Sequence, residues 1–180
     1  MSTGPDFSNG PVPSRSFGER LLGALRVDAT IYEEVEHTPE ALGQAAAVVA
    51  LAAVARGLGV PADNGLLGGL VGGLLGWLFG TAVIWLIGVK IMKHTSDFQE
   101  LLRTLGFASA PQLLYILGVI PLGPLAPLLA LAVTVLGVFA WVIAVRQALD
   151  VTTGRSIGIC VLAQIPLILM VLALLASPAP

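Results

Sequence analysis

The chain has 180 residues, 56% of them hydrophobic and 11% charged, against roughly 25% charged in an ordinary soluble domain. With a mean hydropathy of +0.92, this is the composition of a membrane protein. A net charge of −2, from 9 basic and 11 acidic side chains, excludes a broad cationic face for nucleic acid, and the single cysteine, Cys160, excludes an internal disulfide and a cysteine-based zinc site.

Residues 1–16 hold Pro5, Pro11 and Pro13 among Gly, Ser and Asn and read as a disordered tail with too few apolar bodies to repay ordering. No positive n-region precedes an apolar core, so the first apolar span is expected to direct insertion. Phe17, Leu21 and Leu25 recur at helical spacing with Leu22 alongside, while Glu19, Arg20 and Arg26 fall elsewhere on the wheel. This predicts a short amphipathic helix at the membrane surface or docked on the protein itself. A second short helix is expected over Ile31–His37, and Thr38-Pro39 reads as the N-cap and first turn of the first membrane helix. Residues 17–40 thus form an amphipathic and acidic segment.

About 20 apolar residues cross a hydrocarbon core. No charge occurs between Glu40 and Arg56, and a snorkelling Arg56 extends the first span to about Val60. The second lies between Asp63 and Lys90. Thr104 to Val145 is uncharged over 42 residues, about two spans, broken at Pro121, Gly123, Pro124 and Pro127. The third of these, Leu105 to Ile120, counts only 16 residues, a short helix in thinned bilayer or part of a re-entrant hairpin. Ser156 onward supplies the fifth. Five spans with the N-terminus inside and the C-terminus outside put eight Lys and Arg in the cytosol and only Arg56 outside, the better fit to the positive-inside bias. The expected fold is an all-α polytopic bundle of five transmembrane helices over residues 41–176, with a cytosolic amphipathic N-terminal segment.

In the second span Gly68, Gly72, Gly76 and Gly80 repeat every four residues beside Gly65, Gly69 and Gly73, a pattern for close helix packing within the chain, in a homo-oligomer or with another membrane protein. The polar groups inside the spans, Gln44, Thr81, Gln112, Thr134 and Gln164, include no ionisable side chain near a helix centre, which argues against a coupled transporter. Gln164, two residues before Pro166, is expected to bond a freed carbonyl or a neighbouring helix. The acidic run Asp28, Glu33, Glu34, Glu36 and Glu40 disfavours anionic lipid and reads as a solvated face or one paired with basic loops. Glu34 and His37 have the Glu-x-x-His spacing of di-iron helices, but in one copy only, so no metal or other cofactor is expected. Gly-x-Ser-x-Gly, His-Glu-x-x-His and a phosphate loop are all absent, and no enzymatic activity is expected.

Taken together, Phe17-Gly18-Glu19-Arg20-Leu21-Leu22-Gly23-Ala24-Leu25-Arg26-Val27-Asp28, Tyr32-Glu33-Glu34-Val35-Glu36, Leu102-Arg103-Thr104-Leu105-Gly106-Phe107-Ala108 leading to Pro111, and Arg146-Gln147-Ala148-Leu149-Asp150 resemble the bacterial branch of the Yip1 family of five-span membrane proteins. The eukaryotic branch carries Asp-Leu-Tyr-Gly-Pro where Tyr32 is here followed by Glu33 and Glu34, and Phe107 stands in place of the usual tyrosine. For the eukaryotic relatives the resemblance implies membrane trafficking and binding of lipid-modified Rab-type GTPases; for the bacterial relatives it implies no settled activity. The expected function is a non-enzymatic scaffold or adaptor in the bacterial cytoplasmic membrane that meets a cytosolic protein through Asp28, Tyr32, Glu33, Glu34, Glu36, Gly106, Phe107, Pro111, Arg146 and Asp150. The alternatives are a passive transporter or channel at the break 121–127 and, less directly, lipid organisation by the Phe17–Leu25 helix.

Overall fold

A computed structural model describes residues 15–60 and 65–176, and every regular element among them is helical. The tail proposed over residues 1–16 falls outside the described residues but for its last two. The elements are α1 (Phe17–Leu25), α2 (Ala29–Glu36), α3 (Ala41–Gly59), α4 (Gly65–Trp85), a π-helical turn (Leu86–Ile91), α5 (Phe98–Phe107), 3₁₀ runs at Ala110–Val119 and Gly123–Leu125, α6 (Ala126–Ala148) and α7 (Thr153–Ala176). Three helical stretches are long and apolar enough to cross a membrane: Ala41–Gly59, Leu66–Ile91 and Gly123–Ala148. They coincide with the first, second and fourth expected spans, and α7, 24 residues long, occupies the position of the fifth.

The third expected span is corrected. Leu105 to Ile120 is not one helix: α5 begins at Phe98, ends at Phe107, and is followed by the 3₁₀ run Ala110–Val119. Proline has no N–H to give the Phe107 carbonyl, so the α-pattern cannot continue through Pro111. The chain tightens there, with Ser109 N–H bonding Gly106 O at 3.1 Å and Gln112 N–H bonding Ser109 O at 3.0 Å. At about 2.0 Å per residue a ten-residue 3₁₀ run reaches ~20 Å, against ~15 Å for the same residues as α-helix. The tighter winding therefore recovers part of the length that the short segment lacks.

Two other readings also change. Thr38 does not cap α3; its hydroxyl donates to Glu34 O at 2.7 Å and so closes the end of α2, while α3 starts at Ala41 after Glu40. Arg20, expected off the apolar stripe of α1, is buried. It is 3% exposed whereas Leu22 is 55% exposed, because α1 docks through Arg20 and Ala24, with Phe17, Leu21 and Leu25 packed against the core.

In α3, Ala41, Ala45, Val48, Ala52 and Ala55 make one buried stripe at helical spacing. Its small side chains let α4, α5 and the 3₁₀ run approach closely. A Cβ on Gly73 would stand 2.9 Å from Ala53 Cβ and one on Gly80 3.0 Å from the Trp141 ring, while around Gly72 and Gly76 nothing lies within 4 Å. Contact inside the chain thus runs through Gly73 and Gly80, with Gly72 and Gly76 facing outward.

The closest approach joins α3 to the 3₁₀ run. A Cβ on Gly59 would overlap the Tyr115 carbonyl, and one on Gly118 would overlap the carbonyl of Gly59. Since backbone cannot yield as a flexible side chain does, Gly59→Ala and Gly118→Ala should each lower stability by about 2–3 kcal/mol. Gly72→Ala, in open space, should stay within ~0.5 kcal/mol, all three measured by denaturant titration in detergent micelles.

Candidate functional site

The charged residues gather where α1, α2, α5 and the α6–α7 turn meet. An α-helix leaves its last four carbonyls without internal donors, and in α2 these belong to Glu33, Glu34, Val35 and Glu36. All four are satisfied. His37 Nδ1 lies 3.0 Å from Glu33 O, and Thr38 bonds Glu34 O. Arg103 Nε donates to Val35 O at 3.0 Å and Glu36 O at 3.1 Å, and its Nη2 also donates to Glu36 O. Arg103 is 5% exposed, and its guanidinium faces the negative end of the helix dipole.

A second buried guanidinium fixes the side of α2. Arg20 Nε and Nη2 reach Glu34 Oε1, both at 2.9 Å, and Nη1 donates to Gln44 Oε1 at 2.9 Å, tying α1, α2 and α3 together. Arg15 adds an exposed contact to Glu34 Oε2 at 3.0 Å. At the opposite edge Gln147 Nε2 donates to Glu33 Oε2 at 2.7 Å, joining α2 to the end of α6. α5 is joined to α4 by Trp77, whose Nε1 donates to Leu102 O at 3.2 Å.

The residues selected from the sequence separate into three groups. Tyr32 and Phe107 are fully buried, with the Tyr32 hydroxyl donating to Ala24 O at 3.4 Å; burial raises the Tyr32 pKa above its ordinary value. Gly106 and Pro111 are buried as well, and a Cβ on Gly106 would lie 2.6 Å from Ala45 Cβ. Asp28 is the N-cap of α2, accepting from Thr30 N–H at 2.9 Å, and that bond lowers its pKa. Glu33, Arg146 and Asp150 are exposed, Asp150 in a left-handed turn at φ 48°. Glu34 and His37 aim at different partners, the arginines and the Glu33 carbonyl. The sequence reading did not select Arg20, Gln44 or Arg103 as site residues; the Asp97/Glu100 capping box of α5 was the available signal that residues 98–107 form a helix carrying Arg103 inward.

Glu36 is 7% exposed, and burial pushes its pKa up to about 7, against the pull of His37 and with Glu100, Asp150 and Glu33 adding to the rise. Because the folded value lies above the ordinary 4.5, the folded chain keeps a proton that the unfolded chain has lost between pH ~4.5 and ~7, and stability falls as pH rises through that window. His37, raised first by its bond to the Glu33 carbonyl, acts in the same direction. Glu36→Gln should flatten the fall without abolishing it, gaining about 1 kcal/mol at pH 8 and nothing at pH 4, read from unfolding midpoints in detergent. Arg103→Ala should cost about 2–3 kcal/mol by leaving the Glu36 carbonyl without a donor and the Val35 carbonyl with only the Thr38 N–H, 3.3 Å away. Arg103→Lys should recover less than half, since one ammonium lacks the planar fork.

No curated protein and no solved structure matches the chain. A family model, the Yip1 domain, matches residues 29–175, which begins at the first residue of α2 and includes every membrane-length helix, the 3₁₀ run and the buried Arg103. The chain belongs to the Yip1 domain family and, with its long apolar helices, is an integral membrane protein.

Proposed function

We propose that this protein is a non-enzymatic scaffold or adaptor of the bacterial cytoplasmic membrane, with five spans, the N-terminus inside and the C-terminus outside. It acts in membrane organisation or protein trafficking through its cytosolic face. The observation that carries the reading is the construction of the charged face. Buried arginines take up the last two carbonyls of α2 and one acid, Glu34, while Glu33, Glu40, Arg146 and Asp150 are exposed to solvent on a platform whose backbone is held by buried bonds. Such a surface offers both signs of charge in fixed positions, which suits recognition of a folded partner more than adhesion to anionic lipid. On five spans, 18 of the 20 charged residues fall on this side, Arg56 and Asp63 being the exceptions.

The positions suited to test the reading are the exposed ones, since Tyr32 and Glu34 hold the fold itself. A photo-crosslinker placed at Glu33 or Arg146 in cells should capture a defined protein. Glu33→Arg combined with Arg146→Glu should reduce that capture about tenfold, at unchanged protein level, through reversed rim charges. Capture indifferent to charge reversal, or a cysteine at position 33 labelled only from outside the cell, would remove the proposal.

A further inference from the structure

Polar side chains within the spans gather between the helices. Gln112, Tyr115, Thr134 and Gln164 line a cavity of about 270 Å³ between the 3₁₀ run, α3, α6 and α7. There the Tyr115 and Thr134 hydroxyls are 3.3 Å apart and Thr134 donates to Ala130 O at 2.8 Å. The expected bond from Gln164 to a freed carbonyl is not seen among the described residues. The basic groups that end the second membrane-length stretch are placed differently, on the outside. That stretch, Leu66–Ile91, finishes in the π turn, where Met92 N–H bonds Ile87 O at 2.9 Å across five residues. Side chains five apart on an α-helix point about 140° away from one another, whereas i→i+5 winding brings them toward the same side. Lys90 accordingly lies over Trp85, five residues earlier, with Nζ 4.6 Å from the ring centroid. Trp85 is itself held edge-to-face by Phe98, ring centroids 6.1 Å apart.

A second lysine completes this rim. Lys93 stands in the left-handed region at φ 59°, a conformation that glycine adopts freely and a residue with a Cβ does not. The turn is closed by His94 N–H bonding Gly88 O at 3.0 Å, and both lysines are exposed. The next acids along the chain, Asp97 and Glu100, are engaged in the capping box of α5. Deeper along α4 the outer surface is apolar. Leu75, Phe79, Ala82 and Leu86 are all exposed at spacings of four, three and four, which places them on one side of the helix. From Leu75 to Leu86 the helix rises about 16 Å at 1.5 Å per residue, close to the hydrocarbon depth of one leaflet, ~15 Å. Charge therefore sits at the end of the helix and apolar surface below it, the polarity of a lipid standing in that leaflet.

We propose that Lys90 and Lys93, positioned by Trp85 and the π turn, bind the phosphate of an anionic phospholipid in the leaflet where α4 ends. Its acyl chain lies along Leu75, Phe79, Ala82 and Leu86. Two ammonium groups meet a phosphate as point charges, and at headgroup depth each adds to the attraction. The site is built from elements other than α2 and does not depend on the scaffold reading.

The full-length protein in detergent, titrated with phosphatidylglycerol and followed by native mass spectrometry, should retain one lipid per chain. Lys90→Ala and Lys93→Gly should each weaken retention about fivefold, and the double variant about 25-fold. Lys93→Gly should not lower the lipid-free unfolding midpoint, since glycine adopts the positive φ without strain, so its loss of lipid is separable from loss of fold. Lys90→Arg, which keeps a cation over the Trp85 ring, should retain more lipid than Lys90→Ala. Equal retention by wild type and the double variant would overturn the proposal, as would phosphatidylcholine binding as tightly as phosphatidylglycerol. Displacement of the lipid by millimolar inorganic phosphate would overturn it too, since the site would then recognise a soluble anion.

Discussion

Arg103 ends a helix that lies 67 residues away in sequence. Its guanidinium, enclosed between α5 and α2, supplies the donors of the Glu36 carbonyl and joins the Thr38 N–H on the Val35 carbonyl. The arrangement answers two separate problems at once. Buried positive charge is costly when uncompensated, and the end of a helix packed against protein is costly when its carbonyls are unpaired; each of these groups solves the other's difficulty. The orientation of α2 follows, because the fork fixes both the end of the helix and its rotation. With α2 fixed, Ile31, Tyr32 and Val35 enter the core, and Arg20 can meet Glu34 and Gln44 from the opposite side.

The acidic segment is consequently not a uniform surface. Its members have different work because they occupy different points on one short helix and its flanks. Asp28 starts the helix, Glu34 receives the buried Arg20, and Glu36 turns inward far enough to hold its proton near neutral pH. Glu33 remains at the surface beside Gln147. An interface built on this helix is therefore presented by rigid backbone, and its charge is smaller than the count of carboxylates suggests.

Long uncharged runs bounded by charge located α3, α4 with its π turn, and α6, since hydrocarbon thickness alone sets their length. The short helices α1 and α2 were also legible from spacing. The amphipathic wheel misplaced Arg20 because a wheel ranks side chains by polarity, and the partners that make a guanidinium burial-competent, Glu34 and Gln44, lie on two other helices. The same blindness to tertiary partners concealed Arg103. The four-residue glycine series pointed to helix packing, but only the neighbour's position tells which glycines are approached: Gly73 meets Ala53 and Gly80 meets Trp141, while the most critical pair, Gly59 and Gly118, belongs to no repeat. Of the polar residues within the spans, Gln112 and Gln164 were visible individually, yet their convergence depends on winding that no hydropathy pattern encodes.

That winding has a geometric consequence. In a 3₁₀ helix side chains three apart eclipse one another, so Gln112, Tyr115 and Gly118 form a single file, two members at the polar cavity and the third against Gly59 of α3. Rewinding the same ten residues as α-helix would swing each successive member of the file by about 60° and shorten the segment by ~5 Å. The run behaves as a screw thread in which axial travel and lateral aim are one coordinate: whatever lengthens or compresses this segment also turns its glutamine and tyrosine toward or away from the space between the helices.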